Sequence, residues 1–252
     1  MTRPRTLWIL AVAGAIVATG AWPGVLISAL EVAAPNILWR VETNQKILAL
    51  TFDDGPDPIY TPALLEILSH HKVRATFFLA GRKARRFPAI LDAIRSAGHA
   101  IGNHSDSLDR TLGLGLDEFE QSLLRAEEAL GLTDTSPKFF RPAGGFISPS
   151  QANVARSHGY TITLASGYAL DPYRPPVRYM VWQMKRSLSP GAILVFHDSG
   201  GDRSKSLAAV DKLIPFTLEQ GFQFVTLPEL AANAAARPVP LPGRSAAPPL
   251  VP

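Results

Sequence analysis

Two carboxylates stand side by side at the end of an apolar run, in LALTFDDGPDP over residues 48–58. Like charges at that spacing raise each other's pKa unless something positive lies between or beside them. No basic residue occurs between Lys46 and His70, so the partner of Asp53 and Asp54 comes from elsewhere in the chain. A metal ion, an arginine or a histidine would each serve. Such residues recur at similar places: Asn103-His104 close the run HAIGNH, Arg141 closes KFFR, and His197-Asp198 close AILVFHD. Each also has a plain reading, since an Asp-Gly pair after a strand is ordinary turn chemistry and a lone histidine or arginine is commonly a satisfied or exposed side chain. Together, however, they could hold a divalent metal, take a proton from water and protonate a leaving group.

The elements that must position them are short apolar runs alternating with helical stretches. Residues 46–52, 73–80, 99–103, 138–141, 159–166, 192–198 and 221–227 read as strands. Helical patterns fall at 61–71, 87–97, 116–131, 148–158, 176–188 and 204–219. Strand–helix alternation at this spacing predicts an α/β fold with a mostly parallel sheet, open or closed. In a parallel barrel the C-terminal strand ends converge on one face, where active sites are built. Four separate strand ends each delivering a titratable or cationic residue point to that arrangement.

The 252 residues, 46% of them hydrophobic, suffice for one full-sized core. A net charge of +4 with scattered basic residues does not mark a nucleic-acid binder. The one dense basic cluster, GRKARRFP at 81–88, reads as a solvated helix start or loop. The lack of cysteine excludes disulfides and thiolate metal sites. Behind Arg3 and Arg5 an uncharged stretch runs from Thr6 to Leu30, long enough to cross a bilayer. We read residues 1–42 as an N-terminal membrane anchor and linker, with a cleaved signal peptide as the rival reading. Either places the folded unit, 43–230, outside the cytoplasm. Six prolines among the last 22 residues predict an extended, disordered tail over 231–252.

TFDDGP (51–56), GNHS (102–105), FRPAGG (140–145) and LVFHD (194–198) resemble, in order, the motifs of the polysaccharide deacetylases, the NodB-like carbohydrate esterases. The resemblance, which runs from about 46 to 230, implies a distorted, incomplete (β/α) barrel and metal-dependent removal of N-acetyl groups from an amino-sugar polysaccharide, of peptidoglycan or chitin type. Carried over residue by residue, it makes Asp54 and His104 metal ligands, for zinc or another divalent ion that accepts N and O donors. Asp53 resembles the general base, Arg141 the arginine that orients it, and His197 the general acid. Asp171, in YALDPYRPP, falls where the family places an acid that pairs with the catalytic histidine. The Gly144 N–H is placed to help hold the oxyanion.

Three departures stand out. Position 108 is leucine where the family has a second histidine four residues after the first, so the third ligand falls to Asp109, Asp106 or water. Ala143 and Gly144 replace a proline and an aromatic, and Val195 replaces a leucine of the acetyl pocket. The incomplete ligand set makes a catalytically weak or inactive glycan-binding module the alternative. Retention of Asp53, Arg141 and His197, which have no metal-binding duty, favours the enzyme. A glycoside hydrolase is excluded, because adjacent strand-end carboxylates point different ways and cannot flank one glycosidic bond at about 5–9.5 Å.

Overall fold

The computed structural model describes residues 30–31 and 34–235. Its centre is an eight-stranded parallel sheet. In chain order the elements are β1 (Ile47–Asp53), α1 (Tyr60–His70), β2 (Thr76–Leu79), α2 (Gly81–Arg86), α3 (Pro88–Ser96), β3 (Ala100–Asn103), α4 (Leu116–Ala129) and β4 (Lys138–Phe140). They continue as α5 (Pro149–Ser157), β5 (Tyr160–Ile162), β6 (Gly167–Tyr168), α6 (Val177–Arg186), β7 (Ile193–His197), α7 (Ser204–Glu219), β8 (Gln223–Val225) and α8 (Leu227–Ala235). The spatial order is β5-β4-β3-β2-β1-β7-β6. β8 pairs with the first half of β1, at Ile47–Ala49, while β2 pairs with the second half.

Local sequence sets the helix starts. Asp57 Oδ1 accepts the N–H groups of Ile59 and Tyr60 at the head of α1, where Pro62 falls in the first turn and is tolerated. Ser148 and Gln151 form a reciprocal capping box on α5, with Pro149 at its first position.

β1 is buried along its whole length, and its alternate residues serve two different environments. Leu48, Leu50 and Phe52 face the helices, joining Leu64, Leu68, Leu194, Phe196 and Leu213 in the main core. Ile47 and Ala49 face inward, where Phe139, Ile193 and, from α8, Leu227 and Leu230 plug the bottom of the curved sheet. Above that apolar plug the inward positions become polar: Thr51, then Asp53. The inner face is therefore layered, dry below and chemical above.

β5 and β6 form the two ends of the sheet and do not pair, so the expected barrel is a half-barrel. The segment ahead of β1 ties the two sides together. The Leu38 N–H donates to Ile162 O, Leu38 O accepts from the Leu164 N–H, and the Val41 N–H donates to Gly191 O. Gly191, at φ 74°, is required here because a Cβ would lie 1.7 Å from Val41 O. This tie lies ahead of residue 43, where the sequence reading begins the folded unit.

The structure departs from expectation at three places. The transmembrane part of the fold has no support: no helix among the described residues is long and apolar enough to cross a membrane, and the stretch Thr6–Leu30 falls almost wholly outside them. The run 159–166, expected as one strand, ends at Ile162, and the chain re-enters the sheet only at the two-residue β6. α8 continues to Ala235, past the boundary expected at 230; the remainder of the expected tail lies outside the described residues.

Candidate active site

Parallel register carries the β1 carboxylate to the other strand ends. Asp53 stands level with Phe78 of β2 and His197 of β7. Gly102, level with Phe78, leaves room for that ring, since a Cβ there would sit 2.5 Å from it. The Phe78 ring in turn supports the Arg141 guanidinium, 4.0 Å from its centroid. Arg141 Nη1 donates to Asp53 Oδ1 at 2.6 Å and to Thr51 Oγ1 at 2.8 Å, and Nη2 donates to Leu164 O at 3.1 Å. Asp53 and Arg141 are both almost completely buried. Burial pulls the guanidinium below its ordinary pKa, and the charge and hydrogen bond of Asp53 oppose that pull.

The neighbouring carboxylate goes elsewhere. Asp54 takes a left-handed backbone, φ 74°, which turns its side chain away from Asp53. Its Oδ1 lies 3.3 Å from His104 Nε2. Burial raises the Asp54 pKa, but the hydrogen bond and charge of His104, with His197 and Lys83 further off, outweigh it and hold the group at about 2. The like-charge conflict seen in the sequence is thus resolved by divergence, Asp53 onto arginine and Asp54 onto histidine.

His104 Nδ1 lies 2.8 Å from Arg141 O, a carbonyl that can only accept, so the Nδ1 proton is committed there. Nε2 then presents a lone pair toward a carboxylate oxygen at 3.3 Å, and two such donors face each other only with a cation, proton or metal ion, between them. Asp54 and His104 therefore fit a divalent ion. Of the expected third ligands, Asp106 turns away to α2 and α4, paired with Arg85 at 2.7 Å and Arg125 at 3.5 Å. Asp109 is exposed and accepts from Ser107 Oγ at 2.6 Å. Among the described residues no three His, Asp or Glu side chains gather as a metal cluster.

Opposite this pair stands a second carboxylate–histidine unit. His197 Nδ1 donates to Asp171 Oδ1 at 2.9 Å, and the His197 N–H donates to Oδ2 at 2.8 Å. Ser206 Oγ also donates to Oδ2, at 2.8 Å. Burial lowers the His197 pKa, but the Asp171 hydrogen bond and charge, then Asp53 and Asp54, outweigh it and raise the group above its ordinary value. The balance shifts the imidazole toward its protonated form.

A family model described as polysaccharide deacetylase matches residues 40–163. A peptidoglycan-N-acetylglucosamine deacetylase of Bacillus cereus is 36% identical over 197 residues, 77% of this chain and 92% of that protein. The chain belongs to the polysaccharide deacetylase family. The fold agrees: the crystal structure of the Bc1960 peptidoglycan N-acetylglucosamine deacetylase superposes with a TM-score of 0.74 at 34% identity, covering 80% of this chain and 95% of that one. BA3943 of Bacillus anthracis, described as a CE4 family pseudoenzyme, gives a TM-score of 0.71 at 27% identity over 77% of this chain and 68% of its own.

Two residues of this polysaccharide deacetylase were given no role at the site by the sequence reading. Lys83, placed there in a solvated basic cluster, donates from Nζ to Asp54 O at 2.8 Å and to Ser199 Oγ. Burial lowers its pKa, opposed by the charges of Asp54, Asp198 and Asp57. Its position just after β2, on the same sheet end as the site, was the available signal. Asp198 is fully buried, accepts from Thr61 Oγ1 at 2.5 Å and leaves Oδ1 without a partner. Burial pushes its carboxyl up to about 7. Gly55 is fixed by this neighbour, because a Cβ would meet Asp198 Oδ1 at 2.7 Å.

Proposed function

We propose that this chain hydrolyses N-acetyl groups on an amino-sugar polymer, with peptidoglycan as the favoured substrate and chitin-type oligosaccharide as the second. The observation that carries this reading is the division of partners: an aspartate–arginine pair, a separate Asp–His pair fit for a metal, and a histidine backed by Asp171. A divalent ion held by Asp54 and His104, zinc by its tolerance of N and O donors, would polarise the acetamide carbonyl and acidify a bound water. Asp53, fixed by Arg141, takes the proton from water as its oxygen attacks the carbonyl carbon. The Gly144 N–H supports the developing oxyanion. His197 Nε2 delivers a proton to the sugar nitrogen as the C–N bond breaks, releasing acetate and a free amine. Asp171 keeps the imidazole oriented and charged throughout. Water would complete the ligand set, since Asp106 is held by Arg85 and Arg125 and Asp109 by Ser107. Such a substrate lies outside the cytoplasm, and the chain is proposed to act there.

The test is acetate release from a panel of N-acetylated glycans, paired with metal analysis. Wild-type protein is expected to release acetate, and Asp53→Asn to lose activity by about 10²–10⁴-fold while keeping its metal. Asp54→Asn is expected to lose both. Equal metal loss in the two variants would reverse the assignment of base and ligand.

The second reading, a glycan-binding module with little catalysis, is favoured by one observation: among the described residues only two candidate ligands converge. The likeness to a pseudoenzyme adds weight to it. Tight glycan binding without acetate release at saturating zinc would select it.

A further inference from the structure

β6 is only two residues long and forms the free edge of the sheet beside β7. Its register is Gly167 with Leu194 and Tyr168 with Val195. Val195 is itself level with Thr51, and His197 with Asp53. Paired residues of parallel strands share a face, and Thr51 faces inward because it meets Arg141. Tyr168 therefore points into the half-barrel, one layer beneath His197. The opposite setting is closed, since a Cβ on Gly167 would lie 2.6 Å from Leu194 Cδ2 and 2.7 Å from Ser187 Cβ.

From that layer the Tyr168 ring reaches up to meet His197 edge-on, with centroids 6.1 Å apart and planes at 73°. Its surroundings differ from those of the other tyrosines lodged in the fold. Tyr160 Oη accepts from Asn103 at 2.9 Å and Tyr60 Oη donates to Asp202 at 3.2 Å. Tyr168 Oη, on a half-buried side chain, has no hydrogen-bond partner among the described residues. Burial, then the charges of Asp171, Asp53 and Asp54, raise its pKa, so it carries its proton and is a donor. A half-buried donor without a partner is stabilised by whatever enters the cleft.

We propose that Tyr168 is a substrate-binding residue whose phenol O–H donates to the amino sugar on the side of the scissile amide that His197 protonates. The proposal rests on the deacetylase reading above for its substrate class. It makes the short edge strand a specificity element, supplying a polar contact to the sugar beside the leaving nitrogen.

Tyr168→Phe removes the hydroxyl alone, and an unchanged melting temperature would confirm that the fold is intact. The expected result is a KM raised by roughly 2–10-fold, the worth of one hydrogen bond, with kcat nearly constant. Titration calorimetry of an N-acetylglucosamine tetramer into Asp53→Asn and into Asp53→Asn/Tyr168→Phe should show the same factor in affinity. Unchanged KM and unchanged affinity would overturn the proposal. So would a fall in kcat alone with a displaced alkaline limb, which would make Tyr168 a positioning residue for His197. If Asp53→Asn binds the tetramer but wild-type protein releases no acetate, the deacetylase reading fails while the binding comparison still decides the role of Tyr168. Absence of any tetramer binding would reject it.

Discussion

The two carboxylate–histidine units on this sheet end are built differently. Asp171 is wholly enclosed and takes three hydrogen bonds, two from His197 and one from Ser206. Asp54 has a side chain 23% exposed, sits on a left-handed backbone, and meets a single imidazole, at 3.3 Å. The first unit is complete without a visitor, and its geometry sustains a proton already in place. The second is satisfied only when a cation stands between its two members. The difference supports the proposed roles, His197 as the group that gives a proton and Asp54 with His104 as the site that receives a cation.

The largest effect is expected from breaking the pair that lies between them. Arg141→Met leaves the Asp53 carboxylate buried without its partner, which should destabilise the fold by about 3–5 kcal/mol. Urea unfolding should show it, and acetate release should fall with it. A small stability change would mean that water reaches Asp53 from the cleft.

Asp171→Asn tests the complete unit. His197 is raised chiefly by the Asp171 hydrogen bond and charge, against burial that lowers it. Removing that carboxylate lowers the His197 pKa, so the donor is deprotonated earlier as pH rises. The alkaline limb of kcat should move to lower pH, and neutral-pH activity should drop by about 10²-fold, within the range for acid–base groups. An unmoved limb would place the proton donor elsewhere.

The receiving unit is sharpened by Leu108→His. A restored ligand should tighten zinc binding by at least the second-shell factor of about 10–100, read by titration calorimetry. Asp109→Ala should leave zinc affinity unchanged, because that carboxylate is exposed and bound to Ser107. A weakened Asp109→Ala protein would show that the loop after His104 rearranges around the metal.

Much of this was legible because the relevant signals are local. Apolar runs ending on Asp53, His104, Arg141 and His197 needed only strand periodicity and a turn, and the structure sets all four at the same sheet end. The partner of Asp53 was sought far along the chain, and Arg141 supplies it from 88 residues away. Other features left no periodic trace. β6 is too short for an alternation, so Tyr168 could not be assigned a face. The split between Asp53 and Asp54 depends on one positive φ at a residue other than glycine. Asp106 looked like a spare oxygen ligand because its partners, Arg85 and Arg125, come from two helices that only the tertiary fold brings together. For the N-terminal apolar stretch hydropathy alone suggested a spanning helix; the stretch lies almost wholly outside the described residues, and no helix among those is long and apolar enough to cross a membrane.

The pairing of β1 has a consequence for biosynthesis. This strand is the first of the sheet to leave the ribosome, yet it hydrogen-bonds to β7 and β8, which are among the last. At about 5–20 residues per second, the nascent chain waits roughly seven to thirty seconds between Ile47 and Ile193. Throughout that interval one edge of a largely apolar strand, and the Asp53 carboxylate at its end, lacks its final partner. A chaperone that binds extended apolar segments would find its target there, and slowed translation before β7 should lower the yield of folded protein more than the same delay after it.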